Sequence, residues 1–322
     1  MSRPITIFSG QWGDVPFERL CEKMASLGYD GIELACWGDH FDVEKALEDD
    51  SYLPHHRDVL EKYGLKCYAI SNHNVGQTTC DPIDERHKFI LPGSVWGDGK
   101  EEGVRCRAVE NMKNAARAAA RFGAPVVNGF TGSPIWNTLF YWRPDMDAVI
   151  EAGYRFFAEV WNPILDVFQE QFVRFALEVH PTEIAYDGVT AGRAIQAVNG
   201  HPAFGFNFDP SHFGYQGVDY VDFIRRYGDR IYHCHMKDVY VSPQPTRAGV
   251  FGAHLDSGNP LRYWNFRSPG RGMIRFEEII RALNDVEYTG PLSVEWEDSK
   301  MDRDFGAKEA LQYIRTIDFQ AA

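Results

Sequence analysis

The sequence predicts an α/β fold, a (β/α)8 TIM barrel in a single domain over residues 1–322, and three observations carry the prediction. Eight short β-rich segments recur, each followed by a helix-length stretch. The last four of these segments begin apolar and end in carboxylate or imidazole. The first runs out through Ser9, Gly10, Gln11, Trp12 and Gly13, which does not supply the glycine-rich phosphate turn of a dinucleotide-binding doubly wound sheet.

In chain order the strands are expected at Ile5–Ser9, Gly31–Cys36, Lys66–Ser71, Pro125–Phe130, Arg174–His180, Phe204–Asp209, Ile231–His235 and Leu292–Glu295. Between them, apolar residues recur with helical period, as in Phe156, Phe157, Val160, Trp161, Ile164, Leu165 and Phe168, or Phe276, Ile279, Ile280 and Leu283. Such stripes pack a helix onto a barrel. Gly28, Gly123 and Gly228 follow helical runs, where a left-handed C-terminal cap favours glycine. Two long insertions fall after strand three (about Cys80 to Gly103) and strand seven (about Val239 to Arg271). Loops at that end of a barrel form its catalytic face, so Trp96, His254, Trp264 and Arg267 are candidate lid or wall residues, with a plain surface excursion or a subunit contact as the alternative.

Composition narrows the function. A hydrophobic content of 44% without low-complexity tracts supports a packed interior throughout. The longest apolar runs are strand-sized, and no charged-then-apolar leader opens the chain, so neither a membrane span nor an export signal is expected. Six cysteines without C-x-x-C spacing fit a reducing cytoplasm. A formal charge of −13 argues against a phosphate backbone as partner, so no nucleic acid is expected.

The chemistry lies in strands five to eight, which read FALEVHP (Phe175–Pro181), FNFDPSH (Phe206–His212), HCHMKD (His233–Asp238) and SVEWED (Ser293–Asp298). Charged groups aimed at one barrel mouth need compensation, because a buried unpaired carboxylate costs several kcal/mol. A cation supplies it. Glu178, Asp209, His235 and Glu295 make a hard, mostly oxygen donor set, which suits one divalent ion, Mn2+ first and Mg2+ or Co2+ as alternatives.

These motifs, with PGRG at Pro269–Gly272, resemble the xylose isomerase-like barrels over essentially the whole chain. That family includes sugar phosphate isomerases and epimerases, ketose 3-epimerases and inosose dehydratase-like enzymes. The resemblance implies that the strand-end Glu, Asp, His and Glu hold one divalent metal, that His212 contacts substrate, and that Glu178 and Glu295 serve as acid and base. Removing a proton beside a carbonyl leaves an enediolate, whose charge a metal stabilises as a Lewis acid. At position 241, where the ketose 3-epimerases place a basic residue, this chain has Val241.

His180 lies two residues beyond Glu178 on the same strand face and reads as a pocket-lining residue or proton shuttle. His73 and Gln77 follow strand three, placed to reach substrate hydroxyls or to cap the loop. Trp37 offers a flat face to a sugar ring or packs beneath the loops. Lys237 orients an oxyanion or pairs with Asp238 or Glu297.

The expected function is a metal-dependent sugar isomerase or epimerase acting by proton abstraction next to a carbonyl, on a small sugar or polyol. The alternative is a lyase of the same family, acting on 3-keto sugars as the large subunit of a C-glycoside deglycosidase or dehydrating a keto-inositol. A homo-oligomer or a small partner subunit is left open. An endonuclease IV-like enzyme is disfavoured by Asn128 at the end of strand four, by the lack of an Asp-x-His after strand seven, and by net charge. From outside the enzyme class, a non-catalytic sugar-binding barrel that keeps the metal site is the less favoured alternative.

Overall fold

A computed structural model describes residues 2–136 and 145–320. Eight parallel strands close into a barrel: β1 (Ile5–Phe8), β2 (Gly31–Ala35), β3 (Ala69–Ser71), β4 (Val126–Gly129), β5 (Arg174–Glu178), β6 (Phe204–Phe208), β7 (Ile231–Met236) and β10 (Leu292–Val294). The barrel closes where β1 pairs β10, with Ile5 opposite Leu292 and Ile7 opposite Val294. All eight predicted segments are strands; seven are shorter than expected, and β7 runs one residue further, to Met236. Both faces of such a sheet are covered, so its strands read as almost continuous apolar runs.

The helices cover the outside through the predicted stripes. Phe157, Trp161, Ile164, Leu165 and Phe168 are buried on the helix Met146–Glu170, and Phe276, Ile279, Ile280 and Leu283 on the helix Phe276–Asp285. Gly28 and Gly123 take left-handed φ values of 99° and 95° at helix ends. Gly228 does not; its φ is −55°. Glycine is needed there because a Cβ would lie 2.5 Å from Val286.

Both insertions are folded. After β3 come the helices His73–Thr78, Glu85–Lys88 and Gly93–Trp96. After β7 the chain forms an antiparallel ribbon of β8 (Asp238–Val241) and β9 (Trp264–Arg267), with Val239 opposite Phe266 and Val241 opposite Trp264. Asp238 anchors the ribbon's exit by accepting the backbone N–H groups of Gly270, Gly272 and Ile274 at 2.8–3.1 Å. No described helix is long and apolar enough to cross a membrane.

Candidate metal centre

Side chains of a strand alternate between the barrel lumen and the helices, so a strand with polar residues two apart stacks them in successive layers. His233 and His235 of β7 are such a pair. With Glu178 ending β5, Asp209 following β6 and Glu295 following β10, the mouth collects one cluster. Ligand-type atoms of Glu178, Asp209, His235 and Glu295 all lie within 4.8 Å of one another, and all four residues are buried.

His235 is the hub. Its Nδ1 lies 2.9 Å from Glu295 Oε2 and 3.2 Å from Glu178 Oε2. Its Nε2 points the other way, 3.0 Å from Glu33 Oε1. Asn207 on β6 donates to Glu178 Oε2 at 3.2 Å. Asp209 Oδ1 accepts the backbone N–H of Ser211 at 2.8 Å, capping the short helix Pro210–Gly214.

The donor set fits a divalent cation. Three carboxylates and one imidazole form a hard, oxygen-rich set. Asp209 Oδ2 is buried without a hydrogen bond. The Lys237 ammonium lies 3.0 Å from that oxygen as an ion pair and 2.8 Å from Glu295 Oε2. One ammonium faces Asp209, Glu295 and, at 3.7 Å, Glu297, which leaves anionic charge for a cation to balance. The cluster could therefore hold a metal ion.

Electrostatics follow from these contacts. Burial opposes ionisation of Glu178, yet hydrogen bonds from His212, His235 and His73 outweigh it and hold the carboxyl well below its usual range. Burial likewise opposes ionisation of Glu295, but Lys237 and His235 bring it down to about 2. Asp209 goes the other way: burial raises it despite Lys237 and His212. His212 is brought down to about 4 by burial first, then by His180 and Lys237, so it is a neutral imidazole at physiological pH.

The other expected site residues separate. His212 Nε2 lies 3.2 Å from Glu178 Oε1, and His73 Nε2 lies 3.1 Å from Glu178 Oε2. His180 packs edge-on against His212, ring centroids 4.1 Å apart, with its Nδ1 2.5 Å from the Pro181 carbonyl. Trp37 meets Phe8 and His73 edge-on at 5.6 and 6.3 Å. Gln77 is turned toward Asp81, donating to its carboxylate at 3.3 Å. Lys237 does not pair with Asp238, whose carboxylate is taken up by backbone N–H groups; it is buried inside the cluster rather than forming a surface ion pair.

The ribbon walls the site. Phe266 packs 5.4 Å from His212 and 4.6 Å from the Lys237 ammonium. Trp264 stacks on Tyr215, whose hydroxyl meets His212 Nδ1 at 3.3 Å. Of the other insertion residues, Trp96 packs beside Gly99 and Arg107, and His254 is exposed. A cavity of about 340 Å³ opens beside Trp37 and Asn72, bounded by Phe89, Ile90 and Leu91 of the first insertion.

Sequence reasoning missed Glu33, Asn207, Tyr215 and Phe266. For Glu33 a signal existed: a lone carboxylate inside GIELA, an otherwise apolar strand, is almost never buried without a partner.

Fold and cluster together define the class of protein. Residues 21–317 match the xylose isomerase-like TIM barrel family, and the chain belongs to it. Among individual proteins it is similar to the uncharacterized protein YfiH of Bacillus subtilis (strain 168), 22% identical over 313 residues that cover 94% of this chain and 95% of YfiH. It is also similar to the inosose dehydratase of Clostridium perfringens, 34% identical over 90 residues, a segment covering 28% of this chain and 29% of that enzyme. Among solved structures, the 3-keto-D-glucoside 4-epimerase YcjR from E. coli superposes with a TM-score of 0.68 over 98% of this chain and 99% of its own, at 14% identity. That likeness shows a shared fold.

Proposed function

We propose that this chain is a divalent-metal-dependent isomerase or epimerase of a small sugar or polyol, moving a proton at a carbon beside a carbonyl. The observation that carries the reading is the convergence of Glu178 and Glu295, from different strands, on one nitrogen of His235, with Lys237 against Glu295.

In this reading Glu178, Asp209, His235 and Glu295 hold the ion, with Mn2+ the first candidate. When bound, a divalent cation supplies Lewis-acid polarisation of the carbonyl. Glu178 and Glu295 are the acid and base: both are ionised in the metal-free site, and either takes a proton from a carbon held between them. Lys237 faces the oxygen on which negative charge develops. His212, neutral and oriented by Tyr215 and Glu178, donates to a substrate oxygen, while His180 behind it is placed to relay a proton. Phe266 and Trp37 border the site with apolar ring surface, which suits the C–H face of a sugar.

A lyase of the same family is the second reading, supported by the partial likeness to an inosose dehydratase and by Val241, which sits in β8 opposite Trp264 where a basic residue is absent. There the same proton abstraction is followed by departure of a hydroxyl from the neighbouring carbon, protonated as it leaves to give water.

The deciding experiment incubates Mn2+-loaded protein in deuterated water with ketoses, inososes and 3-keto-glycosides. Deuterium at a single carbon with retained mass composition identifies an isomerase or epimerase. Loss of water, or of the glycosidic group, identifies the lyase. No exchange into any of the three classes overturns proton abstraction as the function.

A further inference from the structure

We infer that Glu33 is the positioning residue of this centre, holding the His235 ring so that Nδ1 is the nitrogen presented to a cation; the inference rests on the metal-site reading above. Glu33 sits in the middle of β2, is 1% exposed, and lies one layer below the cluster. Five residues from four other strands converge on its carboxylate. Oε1 accepts from Asn128 Nδ2 at 2.7 Å and from the Ser71 hydroxyl. Oε2 accepts from Ser293 Oγ at 2.6 Å and lies 2.8 Å from His233 Nε2. His235 Nε2 lies 3.0 and 3.1 Å from the two oxygens.

An ionised carboxylate accepts and never donates, so the nitrogen facing it carries the proton. Nδ1 faces carboxylates too, those of Glu178 and Glu295, but a cation bound there takes up those oxygens and displaces the Nδ1 proton, whereas Glu33, held by Ser71, Asn128 and Ser293, keeps the proton on Nε2. The lone pair that can bind a cation therefore belongs to Nδ1. The same donors explain why Glu33, His233 and His235, close as they are, form a support and not a second metal site. Both carboxylate oxygens are already engaged by Ser71, Asn128, His233 and Ser293, which leaves no open position for an ion. Those four partners also pin the carboxylate, so the ring it holds cannot swing.

The test compares parent and Glu33→Gln. A glutamine amide keeps size and one acceptor oxygen but turns N–H groups toward His235, which lets Nε2 become the acceptor and moves the proton to Nδ1. Mn2+ affinity, measured by competition with a chelating dye, is expected to fall roughly 10- to 100-fold, the usual cost of losing an outer partner of a ligating histidine. Ser293→Ala, a milder change that frees one side of Glu33, is expected to weaken Mn2+ in the same direction by a smaller factor. A third measurement needs no variant. Imidazole ¹⁵N spectra of the zinc-loaded parent should show His235 protonated at Nε2 and ligating through Nδ1, a signature that a merely structural role for Glu33 does not require. Ligation through Nε2, or parental affinity in a folded Glu33→Gln protein, overturns the inference while leaving the metal site intact. A parent that binds neither Mn2+ nor Zn2+ overturns the metal-site reading itself, and the inference with it.

Discussion

The ammonium of Lys237 lies 2.8 Å from Glu295 Oε2 inside the barrel mouth, where the lysine is 2% exposed. A lysine so placed is the internal counter-charge of the acidic cluster, and it competes with any metal for Asp209 and Glu295. Removing one partner of a buried pair leaves uncompensated charge and typically costs about 3–5 kcal/mol. Lys237→Met is therefore expected to lower the melting temperature of the metal-free protein by several degrees, to restore much of it with excess Mn2+, and to lower turnover. Calorimetry with and without metal checks this, and an unchanged metal-free melt would rule it out.

Asp209→Asn tests the ligand set. Asparagine keeps an oxygen able to cap Ser211, so the short helix beginning at Pro210 should survive. What goes is the anionic charge, and metal content per chain should fall together with metal-dependent thermal stabilisation. Elemental analysis after dialysis against Mn2+ reads the first and paired melts the second.

Glutamine at 178 or 295 separates chemistry from coordination, since it keeps size and one possible ligand oxygen but no basic carboxylate. Each single variant is expected to lose roughly 10² to 10⁴ in turnover with substrate binding largely kept, the usual worth of a positioned acid or base. If metal-replete variants of both still exchange the carbon-bound proton at the parental rate, His180 and Lys237 become the next bases to test.

His212→Ala should raise KM and lower kcat together, because a hydrogen bond to substrate acts in ground and transition states alike. Tyr215→Phe keeps the stack on Trp264, 4.0 Å between ring centroids, and removes only the hydroxyl on His212 Nδ1. It should reproduce the His212 defect in weaker form; steady-state kinetics on the two variants decide.

Stability should also fall on the acid side for a reason unrelated to catalysis. Burial lowers the imidazoles of both His40 and His56 from their ordinary 6.5. The unfolded chain then binds more protons than the folded one, so stability rises with pH in this range. The contribution is complete above about 6.5 and is lost as pH falls from there through the folded values. His87 is shifted the opposite way by Asp81, so the comparison must be made within a variant. His40→Asn should flatten the melting temperature against pH between about 7 and 5, as read by differential scanning calorimetry.

The barrel was legible because strand and helix periods are local. Each of the eight strand segments announces itself as an apolar run, and Glu178, Asp209, His235 and Glu295 could be picked out because each stands at or beside the end of such a run. Gly28 and Gly123 were readable for the same reason, since a left-handed cap is a property of a few consecutive residues. Gly228 was misread because its constraint comes from Val286, packed against it from across the chain.

What the sequence by itself determined, then, is the order of the elements and the face on which each strand-end group stands. What only the tertiary structure decided is partnership. His235 and Glu33 are 202 residues apart, and their pairing exists only once β2 and β7 stand across a closed lumen. Of the two expected partners of Lys237, Glu297 stays at 3.7 Å while Asp238 does not pair, its carboxylate being claimed by the backbone of the returning ribbon; the closer partners are Asp209 and Glu295. Trp264 became part of the site wall in the same way, through the register of β8 and β9. Local periodicity fixes where a side chain points, but the group it meets depends on how strands far apart in sequence are staggered when the barrel closes.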